Sequence, residues 1–423
     1  MSDRSPSRTP PKSPRRGAKN QRTQDDHSRH PDNSRGRRIP LGQVQGREEL
    51  RGDEVLAARL AGAFRVSSGD EGLPVEGVHG VHPYPARLHP AWVRGILELV
   101  PPDARILDPF CGSGTALVEA SLSGRRSAGS DLNAVGLRIA RMRTTRRDPS
   151  FLERYAAAAI RIHEEAARRR ETPFGALAKG EKRYPSHVLT QLINLRASIE
   201  RESDATVREA LLLTMSPLLT KFAARKGRNA PNVNRRAVRD HFLRRAELTV
   251  EAWADFAEAV PAELPDPQLE LSDARKTPWV SHSVDVVIAS PPYPGVYDYV
   301  AEQEHRERWI GKDHEWLKKA RAAEIGTRGG SGRSWLDGMH AVLRELTRVT
   351  RPGAMLFFVM GDGAVGSKAL RADQMLRHLL HGRDVNLKRV AMVSQERPYF
   401  HGPSSRAFDD RPRREHLVLL ERP

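Results

Sequence analysis

A glycine-rich turn that directly follows a short apolar stretch constrains the fold more than any other feature. Residues 104–108 have the pattern of a buried strand, and Gly112 and Gly114 lie in the turn before a helical pattern begins. A second short strand pattern, residues 127–131, follows that helix and ends in an acidic residue. Strand, helix and strand at this spacing form a βα unit of a parallel sheet. We therefore expect an α/β fold that binds ligands at the carboxyl edge of its sheet.

The remaining patterns divide the chain into four parts. Residues 78–149 and 266–423 read as the two halves of one α/β domain, and residues 150–265 read as helices with no strand between them. We interpret the helical part as an insertion between the halves. The last two strand patterns have only a polar loop between them, which predicts an antiparallel pair. Residues 1–50 form the fourth part, a basic tail that we expect to be disordered.

Positive charge is concentrated in two segments of this chain, whose formal net charge is +17. Residues 1–40 contain 11 Lys or Arg and 4 Asp or Glu, and residues 221–245 contain nine basic residues against one acidic residue. A charge run is often only a solvated helix face, but basic charge this localised favours contacts with nucleic-acid phosphates. The residues that we expect to bind nucleic acid are Lys221, Arg225, Lys226, Arg228, Arg235, Arg236 and Arg239.

The glycine-rich turn suits a nucleoside ligand. Glycine lets the backbone approach a ligand closely, and the start of the following helix offers free N–H groups. Leu117 replaces the third small residue of a dinucleotide-binding fingerprint, and no Walker lysine follows the turn. Asp131 ends the next strand, where a carboxylate can accept hydrogen bonds from two ribose hydroxyls. Together these features indicate a nucleoside without a pyrophosphate.

A second motif, Ser290-Pro291-Pro292-Tyr293, follows the buried strand pattern of residues 283–290. Two prolines fix the backbone and leave carbonyls that no neighbouring N–H can claim. The Ser290 hydroxyl and the Pro291 carbonyl can accept the two N–H bonds of an exocyclic amino group, and Tyr293 can stack on the ring that bears it. The motif therefore indicates chemistry on the amino group of a planar base.

With both motifs present, the chain resembles the S-adenosylmethionine-dependent DNA amino-methyltransferases that modify cytosine N4 or adenine N6, a family of site-specific modification enzymes that includes members of restriction–modification systems. Residues 108–115 match the cofactor motif of that family, Asp131 its ribose-binding acid, and residues 290–293 its catalytic motif. Residues 82–87 and 272–275 resemble two further segments of the family. The resemblance covers roughly residues 78–142 and 270–422.

The resemblance implies a Rossmann-like sheet of seven strands, the last of them antiparallel. It also implies S-adenosylmethionine as the cofactor and duplex DNA with a flipped-out base as the partner. Asp108 would bond the methionine amino group, Gly112 and Gly114 would pass close to the cofactor, and Phe110 would pack beside the adenosine. The cofactor residues implied in this way are Asp108, Phe110, Gly112, Gly114, Thr115, Asp131 and Asp273, and the catalytic residues are Ser290, Pro291, Pro292 and Tyr293.

The chain departs from the family pattern at the first position of the catalytic motif. Ser290, in place of Asp or Asn, favours cytosine N4 over adenine N6. The helical insertion falls between the cofactor and catalytic motifs, where some members recognise their target, so we assign target recognition to residues 150–265. Two other functions remain open: an RNA base-amine methyltransferase, and a DNA-binding homologue without catalytic activity. The recognition sequence and the oligomeric state are also open.

Several classes of protein are excluded by what the sequence does not contain. It has no apolar run of about 18 residues and no apolar signal segment, so we expect a cytoplasmic, nucleoid-associated protein rather than a membrane protein. Its one cysteine, Cys111, lies in the cofactor turn, which excludes a disulfide framework and the thiolate mechanism of cytosine carbon-5 methylation. We expect no metal site, and we assign His79, His82 and His89 to loop and capping roles.

Overall fold

The computed structural model describes residues 47–67, 69–169, 181–224, 229–311, 315–327, 331–382, 384–397 and 405–423. All of them belong to one unit, which starts at Pro40. The basic tail predicted for residues 1–50 lies outside the described residues as far as residue 46. The prediction is wrong for its last residues, because the first strand begins at Glu48.

Ten strands and thirteen α-helices occur among the described residues. The strands are β1 (Glu48–Gly52), β2 (Ile106–Asp108), β3 (Ser127–Asp131), β4 (Gln268–Leu271), β5 (Val284–Ala289), β6 (Thr350–Gly361), β7 (Gly363–Val365), β8 (Lys368–Leu370), β9 (Lys388–Glu396) and β10 (Arg414–Glu421). The helices are α1 (Glu54–Phe64), α2 (Gly77–Gly80), α3 (Pro90–Leu97), α4 (Thr115–Leu122), α5 (Ala134–Thr144), α6 (Pro149–Arg168), α7 (Ser186–Ile199), α8 (Ala205–Lys221), α9 (Ala237–Ala259), α10 (Tyr299–Ile310), α11 (Glu315–Ala323), α12 (Gly332–Val349) and α13 (Ala372–Leu379).

Eight of the strands form one sheet in the order β1-β9-β10-β6-β5-β2-β3-β4. Strands β4, β3, β2, β5 and β6 run parallel, and β10 is antiparallel to both β6 and β9. The predicted α/β fold, with a Rossmann-like sheet of seven strands and an antiparallel last strand, is confirmed. β1 adds an eighth strand at the edge, antiparallel to β9.

Helices cover both faces of the sheet. On one face α1 and α3 pack against alternate residues of the central strands, among them Val286, Ile288 and Phe357. On the other face α12 and α13 pack against the intervening residues, such as Val287 and Phe358. Strands that are buried on both faces read as continuous apolar runs, which is why β5 and β6 were visible in the sequence.

The four helices α6 to α9 form the predicted helical insertion, and no strand occurs among its described residues. Their apolar faces share one core with α5, in which Tyr155 packs against Phe151 and Trp253. The Trp253 indole N–H donates to the Met142 carbonyl at 2.8 Å, which fastens α9 to α5. The insertion is therefore anchored on the helix that follows β3. No helix among the described residues combines the length and apolar character needed to cross a membrane.

Candidate functional site

The predicted cofactor and catalytic motifs meet at one edge of the sheet. Because β2, β3 and β5 are parallel, the residues at their carboxyl ends lie side by side. Asp108 ends β2, Asp131 ends β3 and Ser290 directly follows β5. Two segments far apart in the sequence thus contribute polar groups to the same edge, where open α/β sheets bind their ligands.

The glycine-rich turn is held by the two carboxylates beside it. Asp108 accepts a bond from the Phe110 N–H at 3.0 Å, and Asp131 accepts one from the Gly112 N–H at 2.8 Å. Gly112 and Gly114 both have positive φ, at 50° and 80°, a conformation that L side chains rarely adopt. These bonds and φ angles hold the backbone in a tight bend. Without side chains at Gly112 and Gly114, a ligand can approach this backbone closely.

Burial shifts the pKa of both carboxyl groups upwards. It raises the pKa of Asp108 to about 8, and the neighbouring Asp131 charge adds to the effect. The pKa of Asp131 rises to about 6, because burial outweighs the backbone N–H bonds from Asn133 and Gly112. Such a site favours a ligand that brings its own positive charge to Asp108.

An orphaned hydroxyl at the start of α4 also fits a polar ligand. Thr115 is 3% exposed, and among the described residues its Oγ1 has no hydrogen-bond partner. Phe110 is half-buried beside the turn, and Asp273 follows β4 with its carboxylate paired to Arg275 at 2.5 Å. S-adenosylmethionine has an ammonium group that one buried carboxylate can bind and ribose hydroxyls that the second carboxylate can bind. The glycine-rich backbone can also approach it closely. The residues of this site therefore fit S-adenosylmethionine.

Two residues at this turn were given no individual role by the sequence analysis. The Tyr84 ring lies against Gly112, and its hydroxyl accepts a bond from Asn133 at 3.2 Å. Arg143 is fully buried and donates to the Ser113 carbonyl and hydroxyl at 3.0 and 2.8 Å, and also to the His79 carbonyl. Arg143 thereby ties the turn to the segment before α3. The sequence signal that could have identified Arg143 is its position within the apolar pattern of α5, where a basic residue is unexpected.

The histidines near this segment are used within the fold. His89 caps α3 through a bond from the Ala91 N–H, and the His82 ring contacts the Ser216 hydroxyl at 3.0 Å. His79 contacts Glu119 at 2.7 Å. His89 thus has the predicted capping role and His82 lies in the loop after α2, whereas His79 lies within α2 and contacts a buried glutamate.

The catalytic motif is fixed by contacts to three separate parts of the chain. The Trp335 indole N–H of α12 donates to the Pro292 carbonyl at 2.7 Å. The Tyr293 hydroxyl donates to Glu415 of β10 at 2.8 Å, and the Gly295 N–H donates to the Gly326 carbonyl at 3.1 Å. No hydrogen bond to the Pro291 carbonyl occurs among the described residues, and its role as an acceptor remains a prediction.

Tyr293 is nearly covered in this arrangement. It is 9% exposed, and one side of its ring lies on Gly361, where a Cβ atom would come within 2.4 Å of it. Gly361 and Glu415 are paired in register between β6 and β10, so the ring and the hydroxyl are held by adjacent strands. The predicted stacking of Tyr293 on a base remains a prediction.

Gly361→Ala should displace the Tyr293 ring and slow any reaction at this loop. The added methyl group would overlap a buried ring, and overpacking of this kind costs about 1–3 kcal/mol of stability. Thermal unfolding and a methyl-transfer assay measure the two effects. Gly62→Ala in α1 is the matched control, because nothing lies within 4 Å of its Cβ position and alanine favours a helix. A Gly361→Ala protein as stable and active as wild type would contradict this packing.

The predicted nucleic-acid residues are only partly described. Lys221 ends α8 and is exposed, as are Arg235 and Arg236 before α9, whereas Arg239 is half-buried on α9. Arg225, Lys226 and Arg228 lie outside the described residues. The exposed members carry charge that no ion pair within the described chain neutralises.

A cavity of about 310 Å³ opens beside the start of this basic segment. It lies between the end of α8 and the start of α10, the helix that follows the catalytic loop. Arg183 and Arg308 line it together with Thr220 and Asp298. A larger cavity of about 650 Å³ lies at the amino edge of the sheet, around Arg105 and Arg351, away from both motifs.

One buried trio has the spacing of metal ligands. Asp362, Asp373 and His416 each place one candidate ligand atom within 4.8 Å of the others. Arg371 pairs with Asp362 at 3.1 Å and Arg411 with Asp373 at 3.4 Å. The guanidinium groups balance the two carboxylates, so the cluster is a closed ion-pair network.

Comparison with known proteins bears on the cofactor half of the site. Residues 81–174 match the family model described as "UPF0020: RMKL-like, methyltransferase domain". The Type II methyltransferase M.MvaI of Kocuria varians is 36% identical over 80 residues, which are 18% of this chain and 18% of that protein. The chain thus spans less than a fifth of the length of this curated relative.

Solved structures also align with the chain, at low similarity. The crystal structure of TrmN from Thermus thermophilus is 13% identical, with a TM-score of 0.33, over 79% of this chain and 49% of that one. The rRNA methyltransferase aviRa from Streptomyces viridochromogenes is also 13% identical with a TM-score of 0.33, over 85% of this chain and 94% of that one.

The methyltransferase-domain match falls on the segment that contains the glycine-rich turn, Asp108 and Asp131. The coarser prediction is thereby confirmed: the chain carries a methyltransferase domain, and its cofactor is S-adenosylmethionine. The match does not extend to the catalytic loop or to the greater part of the insertion.

Proposed function

We propose that this protein transfers a methyl group from S-adenosylmethionine to an exocyclic amino nitrogen of a base in DNA, with cytosine N4 favoured over adenine N6. The observation that carries the proposal is the position of Ser290 and Pro291. These two acceptors lie at the sheet edge that also holds Asp108 and Asp131. The partial match with a type II methyltransferase supports the choice of DNA.

The cofactor half of the site takes the roles that the resemblance implies. Asp108 bonds the methionine ammonium group, and Asp131 accepts bonds from the ribose hydroxyls. Gly112 and Gly114 give the cofactor a close backbone surface, and Thr115 offers it an unpaired hydroxyl. Phe110 and Asp273 border the adenosine. The cofactor supplies a methyl group on a sulfonium sulfur: the nitrogen lone pair forms the new N–C bond while the C–S electrons return to sulfur.

The catalytic loop makes the amino group a better nucleophile. The lone pair of an exocyclic amine is delocalised into the ring, so two acceptors that hold its N–H bonds favour a pyramidal nitrogen. Ser290 and the Pro291 carbonyl are those acceptors, while the Trp335 bond to Pro292 keeps the loop rigid. Much of the rate gain then comes from positioning. The proton that the nitrogen loses after transfer passes to water.

The DNA duplex must present its base out of the stack, because the amino group of a paired and stacked base cannot reach acceptors at the edge of a protein sheet. We assign contacts with the phosphate backbone to Lys221, Arg235 and Arg236, the exposed basic residues at the end of α8 and before α9. Target recognition is assigned to the helical insertion, residues 150–265.

The double variant Arg235→Gln/Arg236→Gln should weaken DNA binding about equally for all sequences. Each lost phosphate contact lowers the slope of log affinity against log salt by about one. Fluorescence anisotropy at several salt concentrations measures this slope. Lys388→Gln is the control, because Lys388 is an exposed basic residue at the start of β9 and lies outside the basic segment. An unchanged slope in the double variant would place the DNA surface elsewhere.

The proposed function is tested by incubating purified protein with labelled S-adenosylmethionine and separate pools of duplex DNA and RNA. Digestion to nucleosides and mass spectrometry then identify the product. We expect N4-methylcytosine from DNA, and N6-methyladenine would change only the base. Label confined to RNA would make the chain an RNA base-amine methyltransferase. Cofactor binding without label in either pool would support a homologue that binds but does not catalyse.

A further inference from the structure

The cavity of about 650 Å³ at the amino edge of the sheet is lined by residues that no step of methyl transfer uses. Strands β2, β5 and β6 are parallel neighbours, so Arg105, Asp285 and Arg351 at their amino ends lie side by side. The loops that follow α3 and α4 add residues 101–104 and 124–126 to the lining. The described lining includes no residue of the glycine-rich turn or the catalytic loop, so the cavity is separate from the cofactor site.

Positive charge dominates the polar part of this lining. Four arginines line the cavity together with two aspartates: Arg105, Arg125, Arg126 and Arg351, with Asp103 and Asp285. Asp285 is shared, because its two oxygens lie 3.2 Å from the Arg105 Nε and 2.6 Å from the Arg351 Nε. With four cations and two anions, the lining has a net formal charge of +2. The cavity therefore suits an anion that carries more than one charge.

The guanidinium groups keep donors that the fold does not use. Arg105 and Arg351 approach Asp285 through Nε, and their terminal nitrogens make no hydrogen bond within the described part of the chain. Arg126 is exposed, and its side chain has no hydrogen-bond or ion-pair partner among the described residues. The planar fork of an arginine matches two oxygens of a phosphate group, which makes phosphate the anion that these donors fit best.

Stabilisation of a helix end accounts for only one of the four arginines. Cations are favourable at the carboxyl end of a helix, and Arg125 lies just beyond the end of α3. Its guanidinium donates to the carbonyls of Leu97, Val100 and Pro101 at 2.9, 3.2 and 3.1 Å. The other three side chains donate to no helix carbonyl in the residues that the structure describes, so helix capping does not explain them.

The rest of the lining suits the other parts of a nucleotide. Asp103 is exposed, and its carboxylate accepts no hydrogen bond from any described residue, so it can accept bonds from ribose hydroxyls. Pro101, Pro102 and Pro352 offer apolar surface to a flat ring. Small-molecule sites commonly enclose about 300–1,000 Å³, a range that includes this cavity.

We propose that the cavity binds a nucleoside di- or triphosphate, with Arg105, Arg126 and Arg351 as its phosphate-binding residues. Nucleic acid carries phosphates too, but the cavity lies at the opposite edge of the sheet from the loop that receives a base in the proposed function. That position favours a free nucleotide over a DNA backbone. The site does not depend on which methyl acceptor the protein uses.

Calorimetry with the full chain tests this site, with adenosine triphosphate and guanosine triphosphate as the probes. S-adenosylmethionine is present at saturation, so that its own site is occupied. We expect the wild-type protein to bind at least one probe under these conditions. Arg126→Gln and Arg351→Gln should each weaken that binding about tenfold, because each loses a charge-assisted bond to a phosphate.

Arg59→Gln is the matched control for the loss of one positive charge. Arg59 is exposed on α1 and does not line the cavity, so this variant should bind the probe as wild type does. All three variants should bind S-adenosylmethionine normally and unfold at the wild-type temperature. Arg126→Gln is the cleaner of the two site variants, because its side chain supports no contact that folding requires among the described residues.

Three results would overturn the proposal. The first is that neither probe binds the wild-type protein, or that Arg126→Gln and Arg351→Gln bind the probe as tightly as wild type. The second is probe binding that disappears when S-adenosylmethionine is added, which would place the nucleotide in the cofactor site. The third is a loss of duplex DNA affinity in both variants without nucleotide binding by wild type, which would assign these arginines to a nucleic-acid surface.

Discussion

Ser290→Ala is expected to lower kcat for methyl transfer about 10²–10³-fold while S-adenosylmethionine binds as before. The substitution removes one of the two acceptors that hold the target amino group. Removal of one preorganised hydrogen-bonding group from a catalytic site costs about this much. Ser290 follows β5, and among the described residues no hydrogen bond joins its hydroxyl to the glycine-rich turn, so cofactor affinity should be preserved. Single-turnover assays and calorimetry measure the two quantities.

Ser283→Ala is the matched control for this variant. Ser283 lies at the other end of the same strand, where its hydroxyl donates to the Val280 carbonyl in an exposed turn. The same loss of a hydroxyl there should leave kcat unchanged. Methylation by Ser290→Ala at the wild-type rate would remove Ser290 from the mechanism and leave only the Pro291 carbonyl as an acceptor.

Asp108→Asn should weaken S-adenosylmethionine binding about 10- to 100-fold and stabilise the cofactor-free protein. The loss of affinity follows from the lost charge-assisted bond to the ammonium group. The gain in stability follows from burial, which raises the pKa of Asp108 from 3.8 to about 8. Asparagine keeps the acceptor for the Phe110 N–H without a buried charge.

The sign of the pH dependence follows from this raised pKa. Between pH 4 and pH 8 the folded protein holds a proton on Asp108 that the unfolded chain has released. Stability therefore falls as pH rises through this window, and the cost of the buried charge is fully present above pH 8. We expect Asp108→Asn to raise the free energy of unfolding by about 1–3 kcal/mol at pH 9, and by less at pH 5.

The same titration predicts proton release when the cofactor binds. Near pH 7 the cofactor's ammonium group should displace close to one proton from Asp108, and Asp131 should contribute little because its pKa is about 6. Calorimetry in two buffers of different ionisation enthalpy counts these protons. Asp285→Asn, at the opposite end of β5, should release as many as wild type. No proton release by wild type, or the same release by Asp108→Asn, would contradict the assignment.

The fold was predictable from the sequence where burial requires a clear apolar or glycine pattern. β5 and β6 are buried on both faces and read as continuous apolar runs, and the turn after β2 contains glycines that its positive φ angles require. β1 and β4 were missed for the opposite reason. β1 (Glu48–Gly52) is a charged edge strand and β4 (Gln268–Leu271) is largely exposed, so neither has an apolar pattern.

The site was predictable only as far as each motif is local. Asp108, Asp131 and Ser290 follow strands that the sequence shows, and parallel strands bring their ends together. The contacts that fix these residues are not local: Tyr293 and Glu415 are 122 positions apart, and the register of β10 against β6 determines that they meet. Arg244 and Arg245 show a second limit of prediction from the sequence. Both were counted as surface charge, but Arg244 donates to Glu247 and Arg245 donates to the Val81 carbonyl.

The most direct test of amino-group methylation is the DNA of a methylation-deficient host that expresses this chain. Such DNA presents every short recognition sequence, so no target need be known beforehand. Mass spectrometry of its nucleosides should reveal N4-methylcytosine, or N6-methyladenine, with the wild-type chain and neither with Ser290→Ala. A methyl group found instead on cytosine carbon 5, or the same modified nucleoside from both strains, would contradict the account.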